Sequence, residues 1–206
     1  NKECFLENLE ILANNTNENL HSIENIIVFN RGFKEVYSPF TLLEAIASIS
    51  DKIKDYELIM CGEGPLLEKC KKYVADESLS ELVSFPGYVP NAELVNLLGC
   101  SKILVSPALS DGTPVSILEG LASGCVILSS RIPANKFWTI EGKTGLSFDT
   151  ENSDLLAECI LEVLNNKSIK ENALICGPDL VQKHADWDTE MLRIEKEYHN
   201  LIKIAK

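Results

Sequence analysis

The segment SDGTPVSILEGLASG, residues 110–124, holds the residue types with the most evident chemical use. Asp111 stands before a predicted helix, Thr113 and Val115 place backbone N–H groups in its first turn, and Glu119 follows. A helix N-terminus combines unpaired N–H groups with the positive end of the helix dipole, which suits a phosphate. The segment therefore predicts an anion site at the start of this helix.

The two acidic residues each have two interpretations. Glu119 lies about one and a half turns into the helix, where its carboxylate can accept hydrogen bonds from ribose hydroxyls. The alternative is an ordinary exposed helix residue. Asp111 either contacts a ligand or caps the helix, as acidic residues at this position commonly do.

Other local motifs give weaker indications. Gly62 and Gly64 in GEGP permit close approach of the backbone to a phosphate, but the GxGxxG spacing of a dinucleotide fingerprint is missing, which favours a strand-to-helix turn. Asp186 and Asp188 form an Asp-x-Asp pair whose place at the start of the last predicted helix favours capping over metal binding. The histidines show no metal-ligand spacing, so no metal site is predicted.

Short β-rich runs alternate with longer helical patterns, which is typical of βαβ units. This pattern predicts an α/β fold with a Rossmann-like, doubly wound parallel sheet of about six strands and helices on both faces. Ligands of such sheets bind at the carboxyl ends of the strands, where the loops of interest lie. The predicted helices cover residues 39–50, 64–75, 91–99, 114–123 and 153–165, with further helix from residue 167 to about residue 204.

Length and composition limit the possibilities. The 206 residues, 45% of them hydrophobic, suffice for one core, predicted over residues 23–206 after a lead-in or inter-domain connector over residues 1–22. A formal net charge of -12 argues against nucleic acid or anionic membrane as partner. Seven cysteines without a CxxC pair suggest a reduced, cytoplasmic protein. No apolar run is long enough for a membrane span, so any membrane association is expected to be peripheral.

The acidic segment, extended to SDGTPVSILEGLASGCVILSS, resembles the Glu-x7-Glu region of retaining GT-B glycosyltransferases of the group 1, or family 4, type. Asp111 stands at the first acidic position and Glu119 at the second. The resemblance extends over most of residues 25–200, in matching order. It is carried by ELIMCGEGPLLEKCKKY, VSFPGYVPNAELVNLLGCSKILVSPA, IPANKFWTIEGKTGLSF and HADWDTEMLRIEKEY.

The resemblance implies a donor site. Asp111 would contact the donor sugar and Glu119 the ribose. Arg31 would neutralise the diphosphate, with Lys34 as a substitute for the usual lysine, whose position Val36 occupies. Solvated loop charges are the alternative for Arg31 and Lys34. The other implied nucleotide-binding residues are Gly64, Gly87, Tyr88, which stacks on the base or merely packs, Val89, Gly112, Thr113 and Val115.

The function implied is donor binding in one half of a GT-B enzyme. Sugar would pass from a nucleoside-diphosphate sugar to a glycan or glycolipid acceptor, without a metal cofactor. The acceptor site would lie in an N-terminal domain outside this chain, so the chain alone is expected to be inactive. A half-domain of a nucleotide-sugar epimerase and a non-catalytic nucleotide-binding module remain alternatives.

Overall fold

The computed structural model describes residues 25–204, which alternate between strands and helices. The predicted lead-in over residues 1–22 lies outside the described residues. The strands are β1 (Ile26–Asn30), β2 (Glu57–Cys61), β3 (Val83–Gly87), β4 (Ile103–Ser106), β5 (Val126–Ser130) and β6 (Gly145–Phe148). The α-helices are α1 (Pro39–Ile49), α2 (Leu67–Asp76), α3 (Asn91–Gly99), α4 (Val115–Ala122), α5 (Ser153–Asn165), α6 (Lys167–His184) and α7 (Trp187–Ile204).

These strands form one six-stranded sheet within the described residues, in the order β3-β2-β1-β4-β5-β6. Every neighbouring pair is parallel. This order is that of the Rossmann fold, and it confirms the predicted fold class. The strand order reverses between β1 and β4, so the loops after these two strands flank the crevice where such sheets bind ligands.

The sheet is buried on both faces. Ile27 and Phe29 of β1 belong to one apolar cluster and Val28 to the other, as expected when successive side chains point to opposite faces. Helices α1, α2 and α5 cover the first cluster, while α3 and α4 cover the second. All three β1 residues are 0% exposed, which explains why the strands read as continuous apolar runs.

Helix boundaries agree with the sequence for some helices but not for all. The pattern predicts helix over residues 64–75, but α2 begins at Leu67, because Gly64 has a φ of +155° and residues 65–66 form a turn. Helices α3 and α5 span the predicted residues, and Asn152 caps α5 through a hydrogen bond from the Leu155 N–H at 2.9 Å. Helix α4 was expected to begin at Pro114. It begins at Val115, because Pro114 has a ψ of 73°, outside the helical region.

Two glycines fix the position of α4 between the sheet and α6. A Cβ on Gly120 would lie 2.9 Å from both Ile127 Cδ1 and Leu104 Cδ2. On the α6 side, a Cβ on Gly177 would lie 2.7 Å from the Leu121 carbonyl oxygen. The absence of side chains at these two positions lets α4, which carries Glu119, pack closely on both neighbours.

Asp186 behaves as the sequence suggested. Its carboxylate accepts hydrogen bonds from the Thr189 N–H at 2.9 Å and the Thr189 hydroxyl at 2.6 Å, at the start of α7. Asp188 is exposed. Across residues 25–204, no cluster of three or more His, Cys, Asp or Glu side chains is suited to hold a metal ion. Over the same residues, no helix combines the length and apolar character needed to cross a membrane.

Candidate functional site

Arg31 and Asp111 meet at the switch point of the sheet. Arg31 directly follows β1 and Asp111 lies in the loop after β4, and their side chains form an ion pair although 80 residues separate them in sequence. Both side chains are largely buried, with 11% and 12% of their surface exposed. The guanidinium also lies 4.2 Å from the ring centroid of Tyr37, in cation–π geometry. Tyr37 was not among the site residues predicted from the sequence.

Asp111 does not cap α4. Its Oδ1 accepts a hydrogen bond from the Gly112 N–H at 2.8 Å, and its Oδ2 contacts Arg31. The residue preceding α4 is Pro114, and it makes no side-chain capping bond. The structure therefore excludes capping by Asp111. It also shows a contact that the sequence did not predict, the ion pair with Arg31.

Glu119 is not an ordinary exposed helix residue. It is partly buried, and its Oε2 accepts a hydrogen bond from Asn30 Nδ2 at 3.0 Å. Burial raises the pKa of the Glu119 carboxyl above its usual value, and the Asn30 hydrogen bond and the Arg31 charge offset part of that rise. Helix α4 thus brings Glu119 to the carboxyl end of β1.

The loops at this edge are joined by backbone hydrogen bonds. The Phe33 N–H donates to the Glu63 carbonyl and the Leu66 N–H donates to the Phe33 carbonyl, both at 3.0 Å. The Gly62 N–H donates to the Gly87 carbonyl at 2.7 Å. These bonds connect the loops after β1, β2 and β3 into one continuous rim.

Glycine is required in the GEGP turn. Gly62 and Gly64 have φ angles of +123° and +155°, and a Cβ on Gly62 would lie 2.5 Å from the Arg31 carbonyl oxygen. A Cβ on Gly64 would collide with the backbone of Phe33. The turn therefore supports the Arg31 loop, in agreement with the favoured interpretation of this motif.

A groove of about 330 Å³ opens at this rim. It brings together four residues predicted for the site, Arg31, Tyr88, Val89 and Glu119. Tyr88 is 65% exposed, so its ring does not pack in the core, whereas the Val89 side chain is 7% exposed and does. The lining residues that the sequence did not indicate are Asn30, Gly32, Cys61, Glu63, Asn91 and Leu94. For the first four, the position at or just after a strand end was the available signal, whereas Asn91 and Leu94 belong to α3.

The remaining predicted residues lie outside the lining of this groove. Lys34, Gly112, Thr113 and Val115 are exposed. The expectation of a free Val115 N–H is wrong, because this group donates to the Thr113 carbonyl at 2.9 Å. That bond closes a tight turn around Pro114 just before α4. Gly87 has a φ of +81° and contributes its carbonyl to the rim.

The family model for glycosyl transferases group 1 matches residues 13–176 of the chain. The chain belongs to this family. The match covers the strands β1 to β6 and the loops that carry Arg31, Asp111 and Glu119. The predicted family is thereby confirmed, and transfer of a glycosyl group is the general activity of its members.

Curated proteins with sequences similar to this chain are named as glycosyltransferases. An uncharacterised glycosyltransferase of Methanocaldococcus jannaschii is 24% identical over 186 residues, which are 88% of this chain and 52% of that protein. A GDP-mannose-dependent α-(1-6)-phosphatidylinositol monomannoside mannosyltransferase of Mycobacterium tuberculosis is 25% identical over 72% of this chain and 40% of its own length. The chain therefore spans about half, or less, of the relatives it matches.

Solved structures share the fold at low identity. A TarM mutant from S. aureus, in complex with UDP among other ligands, matches 94% of the group 1 glycosyltransferase chain and 41% of its own, with a TM-score of 0.77 at 20% identity. The C-terminal domain of LpcC from Francisella tularensis matches 79% of this chain and 86% of its own, with a TM-score of 0.71 at 16% identity. The sheet is thus that of a GT-B glycosyltransferase domain.

Proposed function

We propose that this chain is the donor-binding half of a retaining glycosyltransferase. It would bind a nucleoside-diphosphate sugar while the sugar passes to a glycan or glycolipid held by a second domain. The observation that carries the proposal is the meeting of Arg31, Asp111 and Glu119 at the switch point of the sheet. This edge holds a cation for the diphosphate and carboxylates for sugar hydroxyls, in the crevice where such sheets bind nucleotides.

Each group has a role that its chemistry suits. Glu119 accepts hydrogen bonds from the ribose hydroxyls, and bonds to a charged acceptor are stronger than neutral ones. Arg31 binds the diphosphate and stabilises the charge that develops as the glycosyl bond breaks. Asp111 exchanges its contact with Arg31 for the donor sugar. The turn before α4, with Gly112 and Thr113, would direct the positive end of the helix dipole toward the same charge. The Val115 N–H would not contribute, because it already donates to the Thr113 carbonyl.

The rim formed after β2 and β3 would recognise the base. The exposed Tyr88 ring offers a face for stacking, and the backbone of Val89, which lines the groove beside it, would bind the base. Gly87 would hold this rim in place, because its carbonyl accepts a hydrogen bond from the Gly62 N–H. Gly64 contributes by supporting the Arg31 loop. Lys34 is exposed and would need to turn toward the diphosphate to assist Arg31.

The names of related proteins support a nucleotide-sugar donor. One relative is named as GDP-mannose-dependent, and structures with similar folds contain UDP.

The charge on the leaving diphosphate would be met by Arg31 and the start of α4, which makes binding independent of divalent metal. We place the protein in the cytoplasm, in keeping with cysteines 61, 70, 100, 125, 159 and 176, which are free thiols.

Two alternative functions predict different ligand binding and activity. An epimerase half-domain would bind a nucleotide sugar and change the configuration of its sugar without any acceptor. A non-catalytic module would bind the nucleotide with no added affinity from the sugar. The assembly of Arg31 with two carboxylates at one edge disfavours the non-catalytic module, because the second carboxylate has a use only when a sugar is bound. The family match favours the transferase over the epimerase.

Calorimetric titration of the chain with UDP, GDP, ADP and their sugars tests the proposal. We expect one of these diphosphates to bind, and its sugar conjugate to bind more tightly through Asp111. The natural full-length protein should then transfer that sugar, with the anomeric configuration retained when the product is analysed by NMR. Binding of none of these nucleotides by the folded chain would contradict the proposal, and an inverted product would contradict the retaining mechanism.

A further inference from the structure

We propose that Asn30 is the positioning residue for Glu119, holding one oxygen of this carboxylate so that the other faces the ribose. The inference rests on the proposed function, since it concerns the same groove. Asn30 is the last residue of β1, where it pairs in register with Cys61 of β2. The central strand of the sheet thus supplies the partner of a side chain on α4, 89 residues away in sequence.

The contact is specific for one oxygen. Asn30 Nδ2 donates to Glu119 Oε2 at 3.0 Å, and among the described residues no other side chain makes a hydrogen bond to Glu119. Both Asn30 and Glu119 line the groove. A carboxylate held at Oε2 keeps its Oε1 lone pairs for a ligand in the groove.

The Glu119 carboxylate also determines the orientation of the Asn30 amide. Asn30 Oδ1 is buried and accepts no hydrogen bond from the described residues. Turning the amide over would set Oδ1 against the Glu119 carboxylate, acceptor against acceptor, and would lose the one bond that the amide makes. The Asn30 amide therefore keeps its Nδ2 group directed at Glu119. The cost of this orientation is that Asn30 Oδ1 stays buried without a hydrogen bond.

A neutral donor suits this position better than a charged one. The groove already contains one cation, Arg31, and the carboxylates of Glu63 and Glu119, while Asp111 lies against Arg31. An ammonium at residue 30 would pair with Glu119 and reduce its affinity for hydroxyls. A carboxylate at residue 30 would repel it. An amide orients Glu119 and leaves its charge available for the ribose hydroxyls.

Replacing Asn30 tests the assignment through the ribose. Asn30→Leu removes the donor with little change in size, and Asn30→Asp removes it without changing shape. Titrations would use UDP and GDP, each beside its 2′,3′-dideoxy form. We expect Asn30→Leu to weaken binding of the natural nucleotide about tenfold or more, the scale for a hydrogen bond to a charged group. Binding of the dideoxy form should change less than about twofold, because Glu119 has no hydroxyl to contact there.

The Asn30→Asp variant gives a pH signature that a merely structural role would not produce. Two carboxyl groups at this distance share a proton at low pH, and the shared proton restores a donor between them. Binding should therefore approach wild type near pH 5 and fall to the Asn30→Leu level near pH 8. Asn96→Asp, which makes the same charge change at an exposed residue of α3, should show no such pH dependence.

The possible outcomes distinguish the positioning role of Asn30 from the proposed donor site. Suppose that Glu119→Gln weakens the binding of UDP or GDP, while both folded Asn30 variants bind it like wild type. The positioning role of Asn30 is then wrong and the proposed function stands. If the Asn30 variants lose affinity equally for natural and dideoxy nucleotides, the role is structural and the inference is again wrong. If Glu119→Gln itself leaves every affinity unchanged, the proposed donor site is wrong. Circular dichroism and thermal unfolding establish that each variant is folded.

Discussion

At the scale of single residues, the Arg31–Asp111 pair is the feature most open to test. An ion pair with so little exposed surface gains Coulomb energy but also gives up the hydration of both charges, so it is weak evidence of stability. In the proposed site, Asp111 competes with the diphosphate for Arg31. The pair therefore links the stability of the unliganded protein to the affinity for nucleotide.

Asp111→Asn should separate these two effects. We expect the unliganded protein to lose about 3 kcal/mol of unfolding free energy, because Arg31 becomes a buried cation without its partner. Affinity for UDP or GDP should rise, because the phosphate no longer competes with a carboxylate. Denaturant unfolding and calorimetry measure the two. Asp149→Asn, which breaks the exposed pair with Arg131, is the matched control and should change neither by more than about 1 kcal/mol. Loss of nucleotide affinity in Asp111→Asn would contradict this account.

Glu119→Gln should weaken nucleotide binding by about 1 to 3 kcal/mol, the scale for a hydrogen bond to a charged group. Stability should not fall. Because the folded protein raises the pKa of Glu119, its contribution to stability is present below the usual pKa of 4.5 and is lost as pH rises through the folded-state value. Glutamine does not ionise and avoids that loss. The stability of the variant relative to wild type, measured by thermal unfolding, should therefore increase between pH 4 and pH 8.

The control for this variant is Glu158→Gln, at an exposed position of α5. It removes the same charge far from the groove and should leave both nucleotide affinity and the pH dependence of stability close to wild type. Equal binding by Glu119→Gln and wild type would remove Glu119 from the donor site.

At the scale of elements, the position of α4 depends on Gly120. Gly120→Ala places a methyl group against Ile127 and Leu104, and overpacking of this kind costs about 1 to 3 kcal/mol. Because Glu119 precedes Gly120, nucleotide affinity should fall as well. Gly99→Ala in α3 is the control, since a Cβ there meets nothing within 4 Å. It should be neutral or stabilising by about 0.4 to 1 kcal/mol. Equal stability of the two variants would show that α4 does not need this close packing.

The elements were largely predictable because local signals determine them. Buried strands read as apolar runs, and α3 and α5 begin and end where their sequences indicate. The start of α4 was not predictable to the residue. The Thr113–Val115 turn competes with the helix there, and an N–H that a regular N-terminus would leave free is used within the turn.

The site was only partly predictable. Residue types, loop positions and the family resemblance pointed to Arg31, Asp111 and Glu119. They did not indicate that Arg31 pairs with Asp111 or that Glu119 pairs with Asn30. These contacts join residues 80 and 89 positions apart, and they depend on the placement of β1 beside β4 and of α4 over the sheet. Side-chain pairing at a switch point follows from three-dimensional packing, which a single sequence does not specify.

At the scale of the whole molecule, we propose that the chain provides only the donor side of the reaction. It spans about half or less of the curated relatives it matches, and catalysis requires donor and acceptor to be held in reacting geometry. We expect negligible sugar transfer by the purified chain under conditions in which it binds nucleotide. A radiolabelled-donor assay checks this, with the natural full-length protein as the positive control. Turnover by the chain at a rate near that of the full-length protein would contradict the two-domain account.

The central claim is that the groove beside Arg31 and Glu119 binds a nucleoside diphosphate without a metal ion. Calorimetric titration of wild type and Arg31→Ala with UDP and GDP, in EDTA and at two salt concentrations, tests it most directly. The account predicts one saturable site in wild type, and in Arg31→Ala a weaker affinity that depends less on salt, because a charge contact has been removed. Loss of wild-type binding in EDTA, or identical binding by wild type and a folded Arg31→Ala variant, would contradict it.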